Sequence, residues 1–197
     1  MSKRRSSSRD LALIATFTGV VAALGLVPAF VPPGFTVPIT AQSLGVMLAG
    51  AVLGARRGFW ALALFLVLVA VGLPLLAGGR GGLGVFATAS VGFLLCYPVA
   101  AFVIGWLTER GGPTYRLPWG LVANVVGGIV VLYVAGIAGI WAVTQSSVQA
   151  ATAVTWIYLP GDLVKVVVAA LVARGVHTAY PGLLGGPRRQ RRERTTA

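Results

Sequence analysis

Six separate stretches of this chain are each long and apolar enough to cross a lipid bilayer, and that pattern constrains the fold more than any other feature. A bilayer core about 30 Å thick needs about 20 predominantly apolar residues in helical form. The stretches run near Leu11–Val27, Val37–Gly54, Gly58–Leu76, Gly84–Thr108, Pro118–Val143 and Thr152–Ala173. The segments between them are turn-forming or polar: V-P-A-F-V-P-P-G-F, A-R-R-G, P-L-L-A-G-G-R-G-G, E-R-G-G-P-T-Y-R and T-Q-S-S-V-Q. Composition agrees, because 57% of the 197 residues are hydrophobic and 10% are charged. Ordinary soluble domains carry about 25% charged residues, so this chain lacks the charge to cover a solvated surface. The expected fold is all-α and integral to the membrane, with six transmembrane helices in one bundle.

The net charge of +12 raises nucleic acid as a partner, but the placement of the charge argues against it. Basic residues cluster at Lys3-Arg4-Arg5 and Arg9, at Arg56-Arg57, at Arg110 and Arg116, and from Arg188 to Arg194. No aromatic side chains interleave with them as a base-stacking surface requires. With both termini cytoplasmic, every Lys and Arg falls inside except Arg80, in an external loop, and Lys165, within a span. Trp60, Trp106 and Trp119 then lie near inner ends, and Trp141 and Trp156 near outer ones. Residues 1–10 read as a basic cytoplasmic N-terminus, 11–174 as the six-span domain and 175–197 as a disordered basic cytoplasmic tail. The basic-then-apolar start resembles a signal peptide, but no clean small-residue cleavage site ends it, so it reads as a retained first helix.

Chemistry has few places to reside. The lone cysteine, Cys96, sits in an apolar run and reads as packing. One histidine, His177, gives no metal set. Gly78–Gly84 formally contains G-x-G-x-x-G, but between two apolar spans it lacks the strand-to-helix context of a nucleotide loop. Four acidic residues in all, of which Asp10, Glu109 and Glu193 fall on the cytoplasmic side, leave acid–base catalysis little to work with. No resident cofactor is expected, and the chain does not read as an enzyme.

Two ionisable residues fall inside a span, Asp162 and Lys165, in L-P-G-D-L-V-K. Three positions apart, they share one helix face. A charge in the membrane is costly and marks either a ligand site or a structural pair. If Pro160 opens a helix, Asp162 lies in its first turn, where free amides favour an anion. A carboxylate beside an ammonium suits a small solute with N–H groups at one place and a carboxylate at another. Thr40, Gln42 and Ser43, in V-P-I-T-A-Q-S at the outer end of the second span, lie at a similar depth. The stiff Pro-rich loop before them suits a cover over a cavity, and Arg80 in a neighbouring loop completes the candidate set. Asn124 reads as helix–helix glue. Ala15, Gly19 and Ala23 place small residues on one face of the first helix, for packing within the bundle or for docking another membrane subunit.

Taken in order, V-P-I-T-A-Q-S, L-G-A-R-R-G, G-L-P-L-L-A-G-G-R-G-G-L-G-V and P-G-D-L-V-K resemble the BioY family, the biotin-specific substrate-capture subunits of energy-coupling factor (ECF) transporters. The resemblance covers roughly Leu11 to Ala173. It implies six spans in the plasma membrane, high-affinity capture of biotin from outside, closure of the first loop, and ligand contacts from Asp162 and Lys165. It also implies docking through Ala15 and Gly19 to a transmembrane coupling subunit, with ATP used only by partner ATPases. The run T-A-S-V-G-F from Thr88 to Phe93 departs from the G-P-T-G-G-Y common in the family. Capture of another small vitamin, or a stand-alone channel or facilitator, are the alternatives. A channel would line several spans with polar residues, whereas here they gather at one end.

Overall fold

The structure is a computed structural model that describes residues 2–31, 33, 37–112 and 114–183, with backbone only for 2–7. The basic tail from Arg188 to Arg194 lies outside the described residues. Each apolar stretch contributes helix, and no strand occurs among the described residues. In chain order the helices are α1 (Ser2–Leu24), α2 (Gln42–Leu53), α3 (Ala55–Ala70), α4 (Val91–Arg110), α5 (Leu117–Thr144), α6 (Val148–Trp156) and α7 (Leu159–Ala179). A short 3₁₀ helix, Leu83–Ala87, precedes α4. Among the described residues two helices, α4 and α5, are long and apolar enough to cross a membrane, and α6 with α7 make a third if their 54° bend lies within one span.

The second and third stretches differ from a simple helical reading. The 12 residues of α2 and the 16 of α3 rise only about 18 and 24 Å. The apolar run extends past each helix, as Val37–Ala41 before α2 and Val71–Leu76 after α3. Non-helical backbone at membrane depth survives where it is buried in protein or lines a cavity, and both segments border the cavity described below. Hydropathy alone cannot see this, because V-P-I-T-A is as apolar as the helix it precedes. The sixth stretch continues beyond Ala173 to Ala179, and Leu183 beyond it is buried.

Small residues let these helices approach closely. Gly54, at φ +82°, joins α2 directly to α3 in a conformation that a side chain disfavours. The Ala55 backbone beyond it sits against Gly105 of α4, where a Cβ would collide with it. The N–H of Ala55 donates to Glu109 Oε1 at 2.8 Å, so the first turn of α3 is capped by the last turn of α4. Midway along α5, a π-helical turn at Val126–Val131 brings Gly127 and Gly128 against Ile104 and Met47. Asn124 is fully buried and donates only to its own helix, at Gly120 O (3.0 Å). Its side chain therefore makes no cross-helix hydrogen bond among the described residues.

The outward faces are apolar. Leu64, Val67, Leu95, Val99, Phe102, Val134, Leu163, Val167 and Leu171 are all exposed, which suits a hydrocarbon surround and not water.

Candidate functional site

Helix α7 opens with Pro160 in its first turn, followed by Gly161 and Asp162. That placement presents the Asp162 side chain where unpaired amides favour negative charge. It is buried and accepts three side-chain hydrogen bonds. Oδ1 accepts from Lys165 Nζ (2.8 Å) and Ser43 Oγ (3.3 Å), and Oδ2 from the Tyr133 hydroxyl (2.8 Å). The i,i+3 spacing on α7 thus brings Lys165 and Asp162 into an ion pair.

Lys165 uses its three donors on three acceptors: Asp162 Oδ1, Ser43 Oγ (2.9 Å) and the Thr40 carbonyl (2.8 Å). The last contact depends on Val37–Ala41 not being helical. In a helix the Thr40 carbonyl would be taken by an amide one turn on; here it is free for an ammonium. Tyr158 repeats the arrangement, donating to Val37 O at 2.8 Å. Opposite them, Phe93 meets Tyr133 and Tyr158 edge-on, with ring centroids 6.5 and 6.4 Å apart.

These groups border one cavity, which Thr40, Gln42, Ser43, Arg80, Asp162 and Lys165 all line. Ser90, Phe93, Tyr97, Tyr133 and Tyr158 line it too. Sequence reasoning did not single out this second group for the site. The available signal was three phenols inside otherwise apolar helical runs, but tyrosine is also common at membrane interfaces. The free volume is about 70 Å³, well under the ~300 Å³ at the lower end of small-molecule sites. The side chains have closed upon one another, and admitting a ligand requires some of these contacts to open.

Gln42 and Arg80 hold different positions within the lining. The Gln42 amide is buried, donating to Leu75 O (3.0 Å) and Val21 O (3.4 Å) and accepting from Ala77 N–H (3.2 Å). Its visible work is to tie α1, the start of α2 and the segment after α3 together. Arg80 donates from Nε to Ala77 O (3.2 Å) and also lines an outer cleft beside Pro28, Val31 and Pro74. It stands between the inner cavity and that cleft. Of the expected cover, Phe30 pairs with Ile39 through two backbone hydrogen bonds, while residues 32 and 34–36 lie outside the described residues. In the run Thr88 to Phe93, Ser90 and Phe93 reach the cavity, and Gly92 lies so close to the Ala135 and Gly139 backbone of α5 that no side chain fits.

Ala15, Gly19 and Ala23 are all exposed, and nothing lies within 4 Å of a Cβ built on Gly19. The small face of α1 therefore turns away from its own bundle. Thr18, about a quarter-turn round the helix from Gly19, is buried, and its hydroxyl lies 2.9 Å from both Ile14 O and Ala61 O as a shared donor. Cys96 is buried, as a packing residue should be. Among the described residues, no cluster of three His, Cys, Asp or Glu side chains assembles for a metal.

Comparison with known proteins gives a consistent result. The family model of the BioY family matches residues 1–182. A biotin transporter BioY of Rhodobacter capsulatus is 50% identical over 188 residues, covering 89% of this chain and 97% of that protein. A biotin transporter BioY of Rhizobium etli is 48% identical, covering 89% and 96%. Among solved structures, the S-component for biotin from an ECF-type ABC transporter superposes with a TM-score of 0.83 at 25% identity, covering 88% of this chain and 93% of that one.

Proposed function

The chain belongs to the BioY family, and from that premise we propose that it captures biotin outside the cell as the membrane-embedded substrate subunit of an ECF transporter. The observation that carries this reading is the cavity in which Asp162, Lys165, Ser43 and the Thr40 carbonyl satisfy one another. Biotin offers ureido N–H donors that a carboxylate accepts and a valerate carboxylate that a cation binds. Asp162 suits the first, and Lys165 or Arg80 the second. The Phe93, Tyr133 and Tyr158 rings supply an apolar wall for the bicyclic ring. Entry of biotin exchanges the Lys165–Thr40 contact for contacts with the ligand, which couples occupancy to the segment between α1 and α2. Gln42 acts in this scheme through the backbone that it positions.

The reading includes six crossings of the plasma membrane with both termini cytoplasmic. Basic residues support it: Arg9, Arg56, Arg57, Arg110, Arg116 and Arg174 fall at one end of the bundle, and Arg80 at the end that holds the cavity. Release inward needs partners, because the sequence carries no ATP-binding motif. The exposed face of Ala15, Gly19 and Ala23 is the surface we assign to the transmembrane coupling subunit, with cytoplasmic ATPases beyond it. Transport, and not catalysis, is the activity.

Biotin titration of the purified chain in detergent tests the assignment. Nanomolar-class binding is expected; micromolar or absent binding by folded protein overturns it.

A further inference from the structure

The outward seam between α3 and α4 carries a site unrelated to the biotin cavity. We propose that it binds an anionic phospholipid, with the phosphate held by Arg56 and Arg110 and one acyl chain lying along the groove over Trp60, Val99 and Phe102.

The groove encloses about 370 Å³, and Arg56 is the one charged residue among the five that line it. Trp60, Val99 and Phe102 are 53, 48 and 43% exposed, so among the described residues no other helix covers the seam. Val99, Phe102, Trp106 and Arg110 follow at helical spacing and share one face of α4. Arg110 closes that stripe by stacking its guanidinium 3.7 Å from the Trp106 ring centroid. The hydrogen bond from Ala55 N–H to Glu109 sets the start of α3 level with the end of α4. Arg56 and Arg110 each adjoin a residue of that contact, so their backbones lie at the same end of the seam.

Charge decides the occupant. Arg57 turns the other way, to Leu183 O (2.9 Å) and Asp10 (3.6 Å). Among the described residues neither Arg56 nor Arg110 has an ion-pair partner. Glu109 is the local counter-charge, and one of its oxygens already accepts the Ala55 amide. Two guanidiniums at the polar end of an apolar groove fit a phosphate ester carrying hydrocarbon, and basic sites between helices on the cytoplasmic side favour anionic headgroups.

The test uses the full chain, delipidated in detergent and titrated with phosphatidylglycerol or phosphatidylcholine under native mass spectrometry. One phosphatidylglycerol should bind at least about 10-fold more tightly than phosphatidylcholine. The double variant Arg56→Gln/Arg110→Gln should remove that preference, while Arg174→Gln, which removes a basic residue elsewhere, should keep it. Val99→Trp fills the groove without altering charge and should weaken phosphatidylglycerol severalfold. Equal binding of the two lipids, equal losses in Arg174→Gln and the double variant, an unaffected Val99→Trp, or occupancy by a second copy of the chain would each overturn the proposal. Biotin binding measured on the same samples reports folding, so a failed lipid site is distinguishable from a failed biotin assignment.

Discussion

Lys165 Nζ lies 2.8 Å from the Thr40 carbonyl, joining α7 to the non-helical backbone before α2 across 125 positions of sequence. The same ammonium neutralises Asp162. One side chain therefore sets both the charge state of the cavity and the shape of the segment beside it. Replacing Lys165 with Ala leaves a buried carboxylate unpaired, which costs about 3–5 kcal/mol, and removes a cation from the proposed site. Biotin affinity should fall at least about 100-fold. Asp162→Asn should weaken affinity comparably, since it leaves the Lys165 ammonium without its counter-charge. Isothermal titration at matched protein yield checks both, and normal affinity in the two variants would return the pair to a structural role.

Tyr133→Phe isolates a smaller contribution. It deletes the hydroxyl that donates to Asp162 Oδ2 and keeps the ring that meets Phe93. A hydrogen bond to a charged group contributes about 1.5–3 kcal/mol. A rise in biotin Kd of about 10-fold is therefore expected, with the aromatic wall intact. An unchanged Kd would mean that Asp162 does not meet the ligand in the orientation seen here.

Asp162 and Lys165 were legible in the sequence because charge inside an apolar run is expensive and rare. That the apolar stretches are helical was legible too, through hydropathy and the turn residues between segments, but the shortness of α2 and α3 and the 54° bend between α6 and α7 were not. The non-helical course of Val37–Ala41 was not legible either, because the partners that its backbone finds, Lys165 and Tyr158 among them, lie far away in sequence. Tyr97 and Tyr133 escaped for a related reason: a phenol is amphipathic, and only the fold decides whether it faces lipid or a cavity. Gln42 lines the cavity, but its amide is committed to backbone that a linear reading cannot place beside it.

Gly105 tests the close approach of α4 to the joint between α2 and α3. Gly105→Val forces a branched side chain into the Ala55 backbone. Neither partner there is a flexible side chain end, so the helices must separate and with them the Glu109 cap on α3. Overpacking of this kind costs about 1–3 kcal/mol or more. A lower thermal midpoint in detergent is expected, whereas Gly19→Val on the exposed face of α1 should leave it unchanged. Equal midpoints for Gly105→Val and the native chain would contradict the packing described.

Gly19 separates binding from transport. With no neighbour within 4 Å of its built Cβ, Gly19→Trp has room within this chain and should leave biotin affinity alone. If the small face of α1 docks a coupling subunit, a bulky ring there blocks the approach. Uptake of labelled biotin by cells carrying the complete transporter should then drop severalfold, together with co-purification of the coupling subunit. Unimpaired uptake would free this face from the proposed role.

His177 makes stability depend on pH at the opposite end of the bundle. Its ring lies beyond the apolar run of α7, stacked on Tyr115 with centroids 5.1 Å apart, and its Nε2 lies 2.9 Å from Ala51 O. Burial lowers the imidazole pKa below its ordinary value of 6.5, and the Ala51 carbonyl opposes that in part. The Tyr115 hydroxyl, pushed up to about 12 by burial, stays neutral and offers no counter-charge. The folded state therefore prefers neutral imidazole. Above about pH 6.5 the ring is neutral folded or unfolded and this stability is fully present. As pH falls, the unfolded chain takes up the proton first, and the stability is lost as pH drops towards and through the depressed folded value. His177→Phe keeps an aromatic partner for Tyr115 and removes the titration. The native chain should lose thermal stability as pH falls below about 6.5, while the variant declines less steeply. Parallel profiles for the two proteins would show that acid acts elsewhere.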